Sequence, residues 1–429
     1  MRVRPQFPPF NYKDPAVLLE RLRAALPPAH RQALEVTLEP GLGIFLVGGI
    51  VRDLLLLRPN TDLDFVTLDY APEVVRRFLP AFKRSFNPVK FLEHAAFGTV
   101  RLDLGVDLHL DFATARREVY AHPAALPTVT FPATLKEDLK RRDFTINALA
   151  LSPKDGLHDP YNGLADLRDG WLRVLHDASF IDDPTRMIRA IRFAARLGYK
   201  LEPHTRQLLE TARDEGFFEL LSAERQRNEL RMVLKELRPV KGLALLQDYK
   251  MLVRFHPSLA WDDELAGSFG RLEDFLGRPQ SYEYLAALLH RQGNANATAI
   301  VKGLNFAGLE ASVPPEVARL WEDVFPELPS LLKNSRLDLL FRPYKAESLR
   351  VFEALLPEEG RQSVRRYREE VLGRGPELNG SALLQLGVPP GPRIKELLGR
   401  LRAAVLDGEV VGREAELAFL TKLLVEEPD

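Results

Sequence analysis

The apolar pattern changes once along this chain, and that change limits what it can fold into. Between Ile44 and about Leu151, short runs alternate in strand fashion: IFLV, TDLDFVT, VKFL, GTVRLDL and VDLHLDF. After about Pro160, apolar residues recur every three or four positions almost to the end. PTRMIRAIRFAARLGY and SAERQRNELRMVLKEL show this helical spacing well. One amphipathic stretch, Ala16 to Leu34, precedes the strands. Pro and Gly clusters near Arg278-Pro279, Pro314-Pro315 and Pro389-Pro390 punctuate the helical half, with no fixed-period repeat and no low-complexity tract. The expectation is an α+β head followed by an elongated all-α body. A chain of 429 residues exceeds one ordinary core, so two to four domains are expected.

Composition narrows the chemistry. The absence of cysteine excludes disulfides, cysteine nucleophiles and thiolate metal sites. No stretch approaches the roughly 20 apolar residues of a membrane span, and MRVRPQFPPFNYKDP lacks an apolar signal core. A cytoplasmic protein is the expectation. A net charge of −1 means that any phosphate-binding surface is local.

The segment FLVGGIVRDLLLLRPNTDLDFVT, Phe45 to Thr67, carries the most information. A buried strand runs into Gly48-Gly49 and then a short helix from Val51 to Leu57. A glycine pair there lets backbone amides approach a triphosphate, and the helix N-terminus adds a favourable field. Arg52, one turn in, is placed to reach a phosphate oxygen. Such a turn is also common as tight packing, and this one is neither a Rossmann fingerprint nor a P-loop. Asp62 and Asp64 are two apart on the next expected strand, so both face one side while Leu63 and Phe65 face the core. Side-by-side carboxylates repel unless a cation lies between them. Mg²⁺ takes hard oxygen ligands and bridges substrate phosphates, so Asp62 and Asp64 are the expected metal ligands. The plain alternative is a solvated strand face. A third catalytic carboxylate is expected from a neighbouring strand: Asp111 is the best candidate, with Asp107 on the same face.

These residues resemble the signature of the polymerase-β-type nucleotidyltransferases, in the branch holding bacterial tRNA nucleotidyltransferases and poly(A) polymerases. HAAFGTVRL, RRDFTINALAL, DPYNGLADLRDG and DDPTRMIRAIRFAARLGY resemble its later motifs in the same order, and the segment from Leu378 to Val410 resembles its C-terminal end. The resemblance implies a small mixed sheet with helices in the head, then an all-α neck, body and tail. The implied division is 1–40, an N-terminal helical extension; 41–155, the catalytic head; 156–235, a neck that reads the nucleotide base; and 236–429, a body and tail that bind tRNA.

In the helix starting near Pro184, Met187, Ile188, Ile191, Ala194 and Ala195 make an apolar stripe. Asp183, Arg186, Arg189, Arg192 and Arg196 occupy the opposite arc. A solvated basic face explains most such helices. The resemblance instead puts Asp183 and Arg186 on the base-reading pair and Arg189 and Arg192 near the incoming nucleotide. A carboxylate accepts from the exocyclic amine of cytosine or adenine, and a guanidinium donates to the adjacent ring nitrogen. Uracil and guanine present the reverse pattern. By the same resemblance Arg142 contacts the nucleotide, and Asp143 and Asn147 order the site and the sugar. Glu224 is expected to brace the neck, with Arg225 and Arg227 as RNA or structural contacts.

The implied reaction is template-independent addition of CCA to the 3′ end of tRNA from CTP and ATP, with Mg²⁺ as cofactor. Addition of A alone is the closest rival. CC-only and poly(A) addition remain open. Ala115 to Leu139 resembles the flexible loop of relatives that add the terminal A. A metal phosphohydrolase built on His158-Asp159 and His176-Asp177 lacks further ligands at useful spacing. A non-catalytic RNA-binding scaffold would not need the intact Asp62–Asp64 pair.

Overall fold

The computed structural model describes residues 12, 14–38, 43–105, 107–328 and 332–426. Val106, within an expected strand, and residues 1–11, 13, 39–40 and 427–429 of the expected terminal domains lie outside the described residues. Two units emerge, residues 1–225 and 226–429.

The first unit opens with α1 (Pro15–Ala25) and α2 (Pro28–Thr37). The amphipathic stretch expected from Ala16 to Leu34 is thus two helices. Leu26 is extended (ψ 144°) because the residue before a proline is pushed out of the helical region, here by Pro27.

A seven-stranded mixed sheet follows, ordered β3 (Lys90–His94), β4 (Thr99–Asp103), β5 (His109–Thr114), β2 (Leu63–Thr67), β1 (Ile44–Val47), β8 (Ala150–Ser152) and β9 (Gly156–His158). Within this sheet, among the described residues, only β2 and β5 pair in parallel. Their register aligns Asp64 with Asp111, while β4 and β5 align Arg101 with Asp111. Alternation then sorts the faces. Phe65 and Phe112 stack at 4.9 Å, and Phe78 of the amphipathic helix Ala71–Ser85 meets Phe112 at 5.8 Å. With that face covered, Asp64, Asp111 and Arg101 lie on the other. Asp62 precedes β2 rather than lying on it, its backbone N–H donating to Asn60 Oδ1 at 2.8 Å.

The segment expected as a flexible loop carries a short hairpin, β6 (Arg117–Val119) with β7 (Thr128–Thr130), and a helix, Leu135–Lys140. Thr134 and Glu137 form a capping box at that helix.

The second unit is helical among its described residues. Its buried apolar residues include one cluster around Leu320, Phe341, Phe352 and Val371 and another around Leu383, Leu397, Leu401 and Leu420. No helix among the described residues is long and apolar enough to cross a membrane.

Candidate active site

Strand β1 ends at Gly48, whose φ of +74° is disfavoured for any residue with a Cβ. A Cβ there would also stand 3.2 Å from Arg142 Nη1. Gly48 therefore lets the chain turn into the helix Gly49–Leu55 and lets Arg142 approach the turn. Both glycines line a cleft of about 500 Å³, together with Asp62, Asp64, Arg142, Asp183, Arg186 and Arg189. Eleven of the twelve expected nucleotide or metal residues on this side converge there: these eight with the glycine-turn Arg52 and with Asp143 and Asn147, Arg192 being the exception.

Burial pushes the Asp64 carboxyl up to about 6, helped by Asp111 and Asp62 and opposed by Arg142. Carboxylates crowded together in this way are what a cation relieves. Among the described residues no three His, Cys, Asp or Glu side chains form a ready cage. Two carboxylates nonetheless suit Mg²⁺, which keeps several waters and takes phosphate oxygens. Asp111 is held elsewhere: Arg101 donates to its two oxygens from Nε at 2.8 Å and Nη2 at 2.7 Å.

Beside the carboxylates the cleft is basic. Buried Asp138 accepts from both Arg141 (2.8 Å) and Arg142 (3.1 Å), and Arg141 reaches a second carboxylate, Glu118, so Arg142 is left with only a share of Asp138. Arg142 Nε is buried without a partner. That surplus positive charge and spare donor suit a phosphate oxygen.

Arg52 lines the cleft and is also part of a buried network. It is buried and committed, donating to both oxygens of Asp53 (2.9 and 2.8 Å) and to Asn147 Oδ1 (2.6 Å). Asn147 donates in turn to Asp143, which also accepts from Arg189 at 2.5 Å. Burial alone would raise the Asp143 carboxyl, yet Arg189 and the Asn147 amide hold it down at about 2. Its stabilising effect is complete above the unfolded value near 4 and fades as pH falls towards 2. Asp143→Ala should cost about 3 kcal/mol at neutral pH, because Arg189 loses its carboxylate in a buried network. Urea unfolding of the variant checks this; a loss under about 1 kcal/mol would show the network to be decorative.

Helix Thr185–Leu197 presents Arg186, Arg189, Phe193 and Arg196 to the cleft, spaced three and four apart. Arg192, expected beside the nucleotide, is buried and does not line the cleft; the helical turn carries it away from that wall. Arg186 is anchored by Ser179 Oγ (2.8 Å) and the Arg141 carbonyl (2.7 Å), with its Nε 3.8 Å from Asp183 Oδ2. Asp183 Oδ1 accepts from Thr185 Oγ1 (2.6 Å) and from Arg225 Nη2 (2.7 Å). Arg225 also donates to the Ala124 carbonyl at 2.8 Å, so it ties the hairpin segment to Asp183. Arg227 instead donates to the Asn305 carbonyl within the second unit.

Sequence reasoning missed Glu118, Tyr120 and Phe193. Glu118 accepts from Arg141 (3.0 Å) and Tyr120 (3.2 Å), and both acceptor and phenol line the cleft. Burial and Glu118 push the Tyr120 phenol up to about 12. Phe193 lies within 5.1–5.7 Å of the Arg52, Arg189, Arg192 and Arg196 guanidiniums, an aromatic post for four cations. An aromatic on an otherwise basic helical arc was the available signal; the loop resemblance of Ala115 to Leu139 marked the segment but not Glu118 or Tyr120 within it.

A glycine turn, a carboxylate row on a mixed sheet and a guanidinium-lined cleft define a nucleotidyltransferase head. Residues 44–173 match the poly A polymerase head domain. The chain is 30% identical to the A-adding tRNA nucleotidyltransferase of Halalkalibacterium halodurans, over 94% of each chain. It is 32% identical to the CCA-adding enzyme of Streptococcus pneumoniae, over 90% of this chain and 95% of that one. The A-adding tRNA nucleotidyltransferase of Aquifex aeolicus is 42% identical over 52% of this chain, though the match spans only 27% of that relative's length. A solved Thermotoga maritima CCA-adding enzyme complexed with tRNA_CCA superposes with a TM-score of 0.70 at 28% identity, covering 95% of this chain and 98% of that one. A CCA-adding enzyme complexed with CTP gives 0.74 at 27% identity, covering 97% and 100%. The chain belongs to the tRNA nucleotidyltransferase family that carries the poly A polymerase head.

Proposed function

We propose that this chain adds the terminal adenosine to the 3′ end of tRNA, from ATP and with release of pyrophosphate, using Mg²⁺. One observation carries the reading. A second cleft of about 590 Å³, lined by His94, Thr99, Arg101 and Asp111, adjoins the first, and Asp64 and Arg142 line both. A carboxylate thus stands on the wall between two binding spaces, as joining two substrates requires.

In this reading the triphosphate lies on the Gly48-Gly49 turn with Arg142 on its oxygens. The base edge meets Asp183 and Arg186, and the RNA 3′-hydroxyl enters from the second cleft. Asp62 and Asp64 would hold Mg²⁺, which when bound lowers the pKa of the attacking hydroxyl and steadies the leaving pyrophosphate. The anchors on Arg186 and Asp183 fix the base reader before substrate arrives, which limits the ordering cost of binding. Basic side chains of the body would track tRNA phosphates, so binding should weaken with salt.

Choosing A over full CCA rests on the relatives: those at 42%, 32% and 30% identity from Aquifex aeolicus, Geobacter sulfurreducens and Halalkalibacterium halodurans are A-adding enzymes. Addition of CC before A is the second reading. It is supported by the Asp183–Arg186 pair, which accepts cytosine as readily as adenine, and by the likeness to a CCA-adding enzyme complexed with CTP. The test offers tRNA lacking CCA, ending in C, or ending in CC, with ATP and CTP. Extension of the CC-ended substrate alone is expected. Extension of all three to CCA establishes the second reading, and long A tails on unrelated RNA would replace both with poly(A) polymerase activity.

A further inference from the structure

We propose that Arg101 is a resident counter-ion that competes with the divalent cation for Asp111, releasing this carboxylate when an RNA phosphate takes the guanidinium. The inference rests on the reading of the second cleft as the RNA side of the site. Three adjacent strands place Arg101, Asp111 and Asp64 in one row across the sheet. Arg101 occupies both oxygens of Asp111 in a bidentate fork, so the carboxylate in register with Asp64 has no oxygen free of a strong donor. This agrees with the absence of a three-ligand cage among the described residues.

The arginine is not enclosed. Its side chain is 50% exposed, and it sits on the wall of the second cleft. Swinging it aside disturbs no buried apolar contact of the sheet, whose opposite face holds Phe65 and Phe112. A guanidinium fork fits phosphate as well as it fits carboxylate. RNA entering that cleft therefore offers Arg101 an exchange of partners, and Asp111 gains freedom to turn towards a cation at Asp64. Loading of RNA and completion of the metal site become linked through one side chain, which makes Arg101 a positioning residue.

Mn²⁺ binding to the full chain, followed by electron paramagnetic resonance of the free ion without nucleotide, tests this. Arg101→Gln should bind Mn²⁺ roughly 3- to 10-fold more tightly than the unaltered chain, the size expected from removing one partly exposed ion pair. Arg101→Lys, which keeps the charge but not the fork, should fall between them. The gain should vanish in the Arg101→Gln/Asp111→Asn double variant, since simple charge removal would persist there. A CC-ended tRNA should tighten Mn²⁺ binding to the unaltered chain and leave Arg101→Gln unchanged. Equal affinity in Arg101→Gln, or a gain that survives in the double variant, overturns the proposal. If Asp64→Asn still abolishes Mn²⁺ binding in that case, the function proposed above stands without it. Circular dichroism of Arg101→Gln should match that of the unaltered chain, with a thermal midpoint lower by at most about 2–4 °C from loss of the ion pair.

Discussion

Asp64→Asn is expected to lower kcat/KM for ATP by on the order of 10³-fold, yet to raise the thermal midpoint of the metal-free protein. The first effect follows from losing one of two carboxylates that neutralise and place the cation at the reacting phosphate. The second follows from the carboxyl sitting at about 6 rather than near 3.8. A raised acid binds a proton more readily in the folded state, so its ionisation opposes folding as pH rises through roughly 4 to 6, and fully above that. Partial exposure of the side chain and solvent screening reduce the effect to on the order of 1 kcal/mol, or about 2–4 °C in a domain of this size. The variant should therefore be more stable than the unaltered chain at pH 8 in chelator and equal to it at pH 4. Adding Mg²⁺ at pH 8 should stabilise the unaltered chain alone. Calorimetry of both proteins at the two pH values decides the matter. A fall in midpoint at pH 8, or incorporation within tenfold of the unaltered chain, would remove Asp64 from the metal site.

The second large effect concerns which base is accepted. Asp183→Asn keeps the size of the side chain but replaces one acceptor oxygen with a donor. Adenine's amine then meets a donor, while guanine's carbonyl gains one. Discrimination between ATP and GTP should fall by about 1–3 kcal/mol, or roughly 5- to 150-fold in the ratio of kcat/KM values. Arg225→Gln should produce a smaller shift in the same direction, because Arg225 holds Asp183 at 2.7 Å without being placed to touch the base. Single-nucleotide incorporation with each triphosphate in turn reports the ratios. Unchanged ratios in Asp183→Asn with a uniformly slower rate would keep Asp183 in the cleft and end its role as a base reader.

The parts that could be read directly were those written in local spacing. Alternation around Leu63 and Phe65 put Asp64 on the face opposite the core, and the glycine pair marked the turn at Gly48. The switch from two-residue to three- and four-residue periodicity gave the order of head and helical body. Helical spacing also placed Arg186 and Arg189 on one side, but misjudged Arg192 by a fraction of a turn and overlooked Phe193. A wheel shows angular position, not which neighbour closes over it.

Long-range pairings were decided only in three dimensions. Arg52 lies 95 residues from Asn147, and Arg225 lies 42 from Asp183. Arg101 and Asp111 are ten residues apart, yet they meet because β4 and β5 pair in one particular register. Strand order and register are global properties, fixed by how whole hydrophobic faces bury one another, and a one-residue slip would reverse every side chain in the row. The sequence by itself determined which residues could carry phosphate, metal and base chemistry, since composition and short-range period set side-chain type and face. The tertiary structure decided which charges neutralise one another. Coulomb energy and hydrogen bonding depend on distances of a few ångströms between groups that the chain keeps far apart.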